Sequence, residues 1–401
     1  MAETAVTAGG LTFGTITTQA EFAPLARRWD ELVRAMPRPS PFLLHGWVRE
    51  WWRNNHDAIE PVIHVAFRDG ELVGAVPLCV TRRAGLRVLS FQGGRQSALA
   101  DLLVDGDGSV AGPLAERIGD SKHDFANLYG LPAESRLVDA LGPGRLRLLQ
   151  RSEAPVLDLR DGWEAVYRTK VSQKSRSLHG RKRRQLERLG RLEVTVARSL
   201  EELEPALEEC FALHELRWSG RPDGSQFATP EGRRFHRAAL RNLAPLDVLR
   251  ILTMRLDGRP IAFHYDFLFA GRLYIHRLAF DPAFARQSPG QLTTLETIRN
   301  AADEGATFVE FLGGAERYKV ELADRFEPLY EAIGLARTLQ GHAAVAGLES
   351  SIRVRKRLKQ SPRLHRFYYE GLAPARRALS RAASRGRSAD AQASGSPAEP
   401  T

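Results

Sequence analysis

The feature that most restricts how this chain can fold is a hairpin that occurs twice. Residues 62–80 read VIHVAFRDGELVGAVPLCV, and residues 249–269 read LRILTMRLDGRPIAFHYDFLF. Each is an apolar strand, a turn at Asp-Gly and a second apolar strand, a strong signal for a two-residue hairpin loop. Each is followed by another strand, at 86–91 and 272–280, and preceded by a helix-rich stretch, at 19–53 and 199–243. The repeating unit therefore has the size of a domain, roughly 150 to 190 residues, rather than that of a solenoid repeat. A chain of 401 residues also exceeds what one hydrophobic core usually supports.

The second copy continues into DPAFARQSPGQLTTLETIRN at 281–300. Here a strand ending at Phe280 meets a tight turn, Gln287-Ser288-Pro289-Gly290, and then apolar residues Leu292, Leu295 and Ile298 at helical spacing. Pro289 suits the first helical position, where its missing N–H leaves no gap. A strand, a glycine-containing turn and a helix start can direct backbone N–H groups and a positive helix end at a phosphate. The same pattern also opens an ordinary packed helix. Gly305 closes this helix, and TFVEFL at 307–312 returns as a strand. A single-helix crossover predicts that the strands ending at Phe280 and Leu312 are parallel. The turn then lies at the carboxyl end of a strand, where open α/β sheets hold ligands. Upstream, Ser199 to Glu202 reads as a capping box and Thr229-Pro230 as a helix start.

The net charge of +10 is localised. Residues 168–191 hold ten Lys/Arg against Glu187, and residues 352–387 hold twelve against Glu370. Without these segments the chain has 36 basic and 46 acidic residues, which argues against a protein that coats nucleic acid over its whole surface. Residues 168–191 predict a basic helix between the two copies, and residues 342–366 a second basic helical region. The Ser/Ala/Gly/Pro-rich tail from Ala383 predicts disorder. Cys79 and Cys210 have no CxxC partner, so buried thiols in a reducing cytoplasm are expected, with no metal. No apolar run reaches membrane-spanning length, and MAETAVTAGGLTF lacks the basic flank and apolar core of a secretory signal, so a cytoplasmic protein is expected.

These pieces, taken in order, resemble the GNAT-like acyltransferases of the CelD/BcsL type, relatives of the FemAB aminoacyltransferases. The likeness covers about residues 11–338 and rests on Phe42-Leu43, Trp47 and Trp51-Trp52, on VAFRDGELVGAVPL, on the basic helix ending LERLG, on FDPAFARQSPGQL and on FLGGAERYK. It implies a mixed α/β fold of two tandem GNAT-like domains joined by the basic helix, at 11–165 and 166–340, with the basic helical segment and tail at 341–401. It also implies acetyl-CoA or another acyl-CoA as co-substrate, bound on a Q/R-x-x-G-x-G/A turn. Gln287 and Gly290 match that turn, and Leu292 replaces its final small residue. The cofactor-binding set is accordingly Phe280, Arg286, Gln287, Ser288, Pro289, Gly290, Gln291 and Leu292. The first copy offers only Gln92-Gly93-Gly94-Arg95 at the matching place, with no helix start. It is expected to act as scaffold and substrate wall.

Acyl transfer needs a base for the acceptor, a polarised carbonyl and a proton for the leaving group. Alternation along 262–267 puts Ala262, His264 and Asp266 on one strand face. The resemblance implies a general base on this strand, which makes His264 or Asp266 the expected base, with a structural His–Asp pair as the alternative reading. His276 on the next strand is a further candidate. The resemblance gives Tyr318 the role of proton donor to the thiolate and sets Lys319 against a phosphorylated acceptor. Glu310, Asp101 and Arg95 are candidate substrate contacts, although salt bridges would explain them equally. The tryptophans at 47, 51 and 52 read first as core. The resemblance implies direct transfer to a small-molecule or saccharide acceptor, such as an exopolysaccharide precursor, and no Ser or Cys sits in a nucleophile elbow that would support a covalent acyl-enzyme. The alternatives are transfer from aminoacyl-tRNA to a cell-envelope precursor, with 168–191 tracking the nucleic acid, and a non-catalytic binding module. Residues 352–387 could hold the protein against an anionic inner membrane by peripheral contact.

Overall fold

The computed structural model describes residues 5–7, 10–106, 108–218, 226–314 and 317–360, with backbone alone at 5–7, 95, 151, 317 and 355–360. Residues 361–401, which include the expected disordered tail and most of the second basic segment, lie outside the described residues, as does the Arg95 side chain.

The duplicated hairpins are formed. Strands β1 (Ala5–Thr7), β2 (Leu11–Ile16), β3 (Ile59–Arg68), β4 (Glu71–Arg83), β5 (Leu86–Phe91), β6 (Leu103–Val104), β7 (Phe125–Leu131) and β8 (Leu146–Asp158) belong to the first copy. The second supplies β9 (Leu192–Ala197), β10 (Leu249–Leu256), β11 (Arg259–Phe269), β12 (Arg272–Phe280), β13 (Phe308–Glu310) and β14 (Arg325–Gly334). The Asp69-Gly70 and Asp257-Gly258 loops have φ of 52° and 84°, and of 50° and 78°. Positive φ at both positions matches the right-handed twist of the strands they join. The next turn is duplicated too: Ala84-Gly85 and Ala270-Gly271 repeat the geometry, with alanine in the left-handed region both times.

The helices are α1 (Gln19–Phe22), α2 (Ala26–Arg34), α3 (His45–Asn54), α4 (Ala111–Glu116), α5 (Arg136–Leu141) and α6 (Trp163–Lys170). They continue with α7 (Gln173–Glu187), α8 (Leu200–Trp218), α9 (Pro230–Leu243), α10 (Pro289–Asp303), α11 (Arg317–Leu322) and α12 (Leu339–Gln360). The predicted starts hold. Ser199 and Glu202 exchange capping-box hydrogen bonds, the Thr229 hydroxyl accepts the Gly232 N–H, and Pro289 opens α10. α12 forms a unit separate from residues 1–338.

One sheet runs through both copies in the order β1-β2-β3-β4-β5-β7-β14-β8-β13-β12-β11-β10-β9. Its centre is a reciprocal exchange. β8, from the first copy, pairs antiparallel with β13 of the second, whereas β14, from the second, pairs with β7 of the first. β8 and β14 also pair with each other along ten register positions. Parallel pairs β5–β7 and β12–β13 flank this core symmetrically, and the latter is the parallel pair predicted from the crossover.

The second copy's sheet is covered on one face by α8 and α9 and on the other by α10. Helix α3 from the first copy packs onto α9, so close that a Cβ on Gly46 would stand 2.9 Å from Asn242 Cβ. Trp47 is buried in that seam against Phe235 and His236, and Trp51 and Trp52 are buried as well, Trp52 beside Phe22. Fully burying an aromatic or large aliphatic side chain contributes about 2 kcal/mol, so this seam holds the halves firmly. Cys79 and Cys210 are free, buried thiols, and burial raises both, Cys79 to about 12.

Candidate functional site

The site is built around the place where β12 and β13 separate. Their parallel register holds for three pairs, Arg272–Phe308, Leu273–Val309 and Tyr274–Glu310, and then stops. β12 continues to Phe280 with only β11 beside it. The separation coincides with a bulge: Phe267 faces Tyr274 but Tyr265 faces Arg277, so β12 carries one residue more than β11 across this interval. A bulge bends a strand and re-aims its side chains.

Asp266 anchors that bulge. It is fully buried, its Oδ1 accepts the His276 N–H at 2.8 Å, and its Oδ2 lies 3.0 Å from His264 Nδ1. His264 is equally buried, and its Nε2 lies 2.9 Å from the Thr294 hydroxyl on α10. That hydroxyl also donates to the Gly290 carbonyl. The face shared by His264 and Asp266 is the one the alternation predicts, and the two side chains touch. Asp266 has both oxygens engaged and does not face a cavity as a free base. His264 reaches open space only through Thr294.

Thr294 lines a cavity of about 320 Å³ together with Gln291 and Leu295 of α10, Tyr318 and Glu321 of α11, and Ser175 and His179 of α7. Tyr318 thus stands at an open site, with its ring edge-on to Phe311 at 6.3 Å. The His179 Nδ1 meets the Tyr167 hydroxyl at 2.9 Å. The sequence reading missed Thr294, His179 and the start of α7, because their convergence depends on how α7 lies across α10. Arg183 of α7 pairs with Glu296 of α10, and Lys182 donates to the Arg286 carbonyl.

The turn expected to cradle a diphosphate is closed. Residues Pro282–Gln287 form a 3₁₀ helix. The Phe284 N–H donates to the Asp281 carbonyl and that of Ser288 to Ala285. The Gln291 and Leu292 amides both return to the Ser288 carbonyl. These donors are therefore engaged within the chain. Gly290 is small for packing: a Cβ there would meet the Phe280 ring at 2.8 Å. Phe280 and Leu292 belong to one apolar cluster. Of the cofactor-binding set only Gln291 lines the cavity. Arg286 is exposed, Gln287 and Ser288 are half-buried and Pro289 is buried. Gly290→Ala should lower stability by about 1–3 kcal/mol through overpacking, and Phe280→Leu should restore most of it. Independent, additive losses in thermal unfolding would contradict this contact.

Three expected substrate contacts are structural. Glu310 is fully buried and takes Arg38 Nη2 at 2.6 Å and Arg272 Nη1 at 2.7 Å, while Arg38 also pairs with Glu327 at 2.8 Å. Asp101 caps α5, accepting the Ser135 hydroxyl at 2.8 Å and the N–H groups of Arg136 and Leu137 at 2.9 and 3.0 Å. Burial raises its pKa against the pull of those donors. Lys319 is buried and turns its ammonium back to the Gly313 carbonyl at 3.4 Å.

His276 faces away from His264. Its ring lies among Phe42, Trp47, Tyr265, Phe267 and His236, with centroids 5.3 to 5.8 Å away. The register places only its backbone N–H against Asp266. Burial and the nearby Arg277 guanidinium hold its imidazole well below the usual range.

Residues 173–320 match the model of the acetyltransferase (GNAT) domain. Residues 173–320 are thus similar to a GNAT acetyltransferase domain, and the first half of the chain repeats the hairpin and following strand of the second. No curated protein matches the sequence. Among solved structures, FemX superposes with a TM-score of 0.53 at 12% identity, covering 79% of this chain and 96% of its own. L-PGS from Bacillus licheniformis gives 0.51 at 13%, covering 83% and 97%. A conserved protein of unknown function from Bacteroides thetaiotaomicron gives 0.54 at 13%, covering 80% and 99%. These likenesses establish a shared fold.

Proposed function

We propose that this protein is an acyltransferase of the CelD/BcsL type that passes an acyl group from a coenzyme A thioester directly to a small-molecule or saccharide acceptor. The observation that carries the reading is the parting of β12 and β13 beside a cavity between α10 and α11. The unpaired edge of β12 offers backbone groups to an extended donor arm, and the cavity gives that arm a route between the helices. Tyr318 is the side chain placed to return a proton to a leaving thiolate. The Asp266–His264–Thr294 chain fixes the hydroxyl at the cavity wall, and Asp266 holds the bulge that separates the strands. A fixed wall of this kind favours the reacting geometry without reorganisation.

A second reading, an aminoacyl-tRNA donor, draws support from two observations. The Phe284, Ser288, Gln291 and Leu292 amides are engaged internally, and α7 exposes Lys174, Arg181, Arg184 and Arg188 along one helical face. Such a stripe would bind a polyanion with strong salt dependence.

Thermal unfolding separates the two. Coenzyme A at about 100 times its dissociation constant should stabilise the protein by roughly 2.7 kcal/mol, and Leu295→Trp, which fills the cavity, should abolish the shift. Stabilisation by charged tRNA, with none from coenzyme A, would replace the first reading with the second.

A further inference from the structure

On the face of β12 opposite the cavity, five side chains bring together polar atoms that have no hydrogen-bond partner. They are Trp47 Nε1, Tyr265 Oη, His276 Nε2, Arg277 Nε and both ring nitrogens of His236. Every one of these atoms is shielded from solvent, and Trp47, Tyr265 and His236 are buried as whole residues. The group is continuous. The His276 ring centroid lies 5.6 Å from Trp47, 5.8 Å from His236 and 5.5 Å from Tyr265, and His236 lies 5.8 Å from both Trp47 and Tyr265.

Buried polar atoms are almost always satisfied, and each orphan carries a desolvation penalty of about 1–3 kcal/mol. A cluster of them in one place therefore marks a site completed by something polar. Arg277 gives that site its sign. Its Nη1 reaches only the His276 carbonyl, at 3.2 Å, and among the described residues no carboxylate pairs with it. Its charge is felt by His214, His236 and His276, whose imidazoles it helps to hold in the neutral form. A guanidinium without a counter-charge, beside a phenol, an indole N–H and neutral imidazoles, presents several donors and no anionic acceptor. Such a donor set matches a carboxylate or a phosphate, which take paired N–H groups from arginine. His276 and Arg277 are half-buried as whole residues, so the covered polar atoms lie just beneath the surface.

We infer that the cage of Trp47, His236, Tyr265, His276 and Arg277 binds an oxyanion, the carboxylate or phosphate of an anionic acceptor. This inference rests on the proposed transferase reading for the word acceptor, whereas the anion site itself does not. The bulge sets His276 and Arg277 where β12 leaves β13, so a molecule anchored here lies across the strand from the cavity assigned to the donor. Trp47 comes from the first half of the chain, which makes that half a wall of the acceptor site.

The test uses the full chain with inorganic phosphate and acetate as separate probes, followed through the histidine ring signals in NMR. Saturable shifts of the His236 and His276 signals are expected with at least one probe, and the effective probe tells which oxyanion the cage prefers. Arg277→Met should weaken binding at least tenfold, and Tyr265→Phe, which keeps the ring, several-fold. Saturation unchanged in both variants, or no saturable shift in the native chain, would overturn the inference. Coenzyme A protection is measured on the same proteins. A protected chain with a silent cage defeats only the anion site, and an active cage without coenzyme A protection defeats only the donor reading.

Discussion

Replacing Glu310 by glutamine should destabilise the protein by about 3–5 kcal/mol, the usual effect of leaving buried charges without their partner. Glu310 is fully buried between Arg38 and Arg272, so the variant strands the Arg272 guanidinium and leaves Arg38 with Glu327 alone. Arg38 is itself buried and joins Glu310 to Glu327, which binds residues of the first copy, of β13 and of β14 into one network. A pair of apolar replacements, Arg38→Met with Glu310→Leu, should recover much of the loss, because the desolvation penalty disappears with the charges. Denaturant unfolding decides the matter. A Glu310→Gln variant within about 1 kcal/mol of the native chain that had lost turnover would return Glu310 to the substrate site.

The second large effect is expected in acid. Burial holds His45, His64 and His214 at about 4, and lowers His123, His179, His236 and His276 as well. Between pH 6.5 and about 4 the unfolded chain takes up protons that the folded chain refuses, so stability falls as pH falls through that window. Two buried carboxyls work the other way. Asp30 is raised to about 6 and Asp101 is also raised, both by burial, so each keeps a proton in the folded state that the unfolded chain would release. The histidines outnumber them. Unfolding near pH 5.5 should absorb about three to five protons, a slope of roughly 4 to 7 kcal/mol per pH unit. A melting temperature that stays level from pH 7 to pH 5 would show that these imidazoles are not buried in neutral form.

Much of the local structure was legible because it depends on neighbours in sequence. The Asp-Gly loops, the Ser199–Glu202 box, the Thr229 cap, the start at Pro289 and the stop at Gly305 are each set by a few adjacent residues. Alternation along β11 also grouped His264 with Asp266 correctly. What the sequence left open was the partner of each isolated charge. Asp101 looked like a cleft residue, but the helix it caps begins 35 residues later, at Arg136. Glu310 read as a candidate substrate contact, yet its partner Arg38 lies 272 residues away. The closed turn before α10 could not be told from an open anion loop, because the two share the same composition of Pro, Ala, Gly and Ser. Arg277 escaped because simple alternation carries no sign of the bulge that re-aims it.

The exchange of β8 and β14 has a consequence for how the molecule comes into being. Each half lends a strand to the other, as in an intertwined dimer whose two subunits have been fused head to tail. The first half emerges from the ribosome with the β7 edge open, and that edge is covered only by a strand ending at Gly334. The early half must therefore wait for nearly the whole of residues 1–338 to be synthesised. Cutting between the copies would yield fragments that complete one another only when mixed.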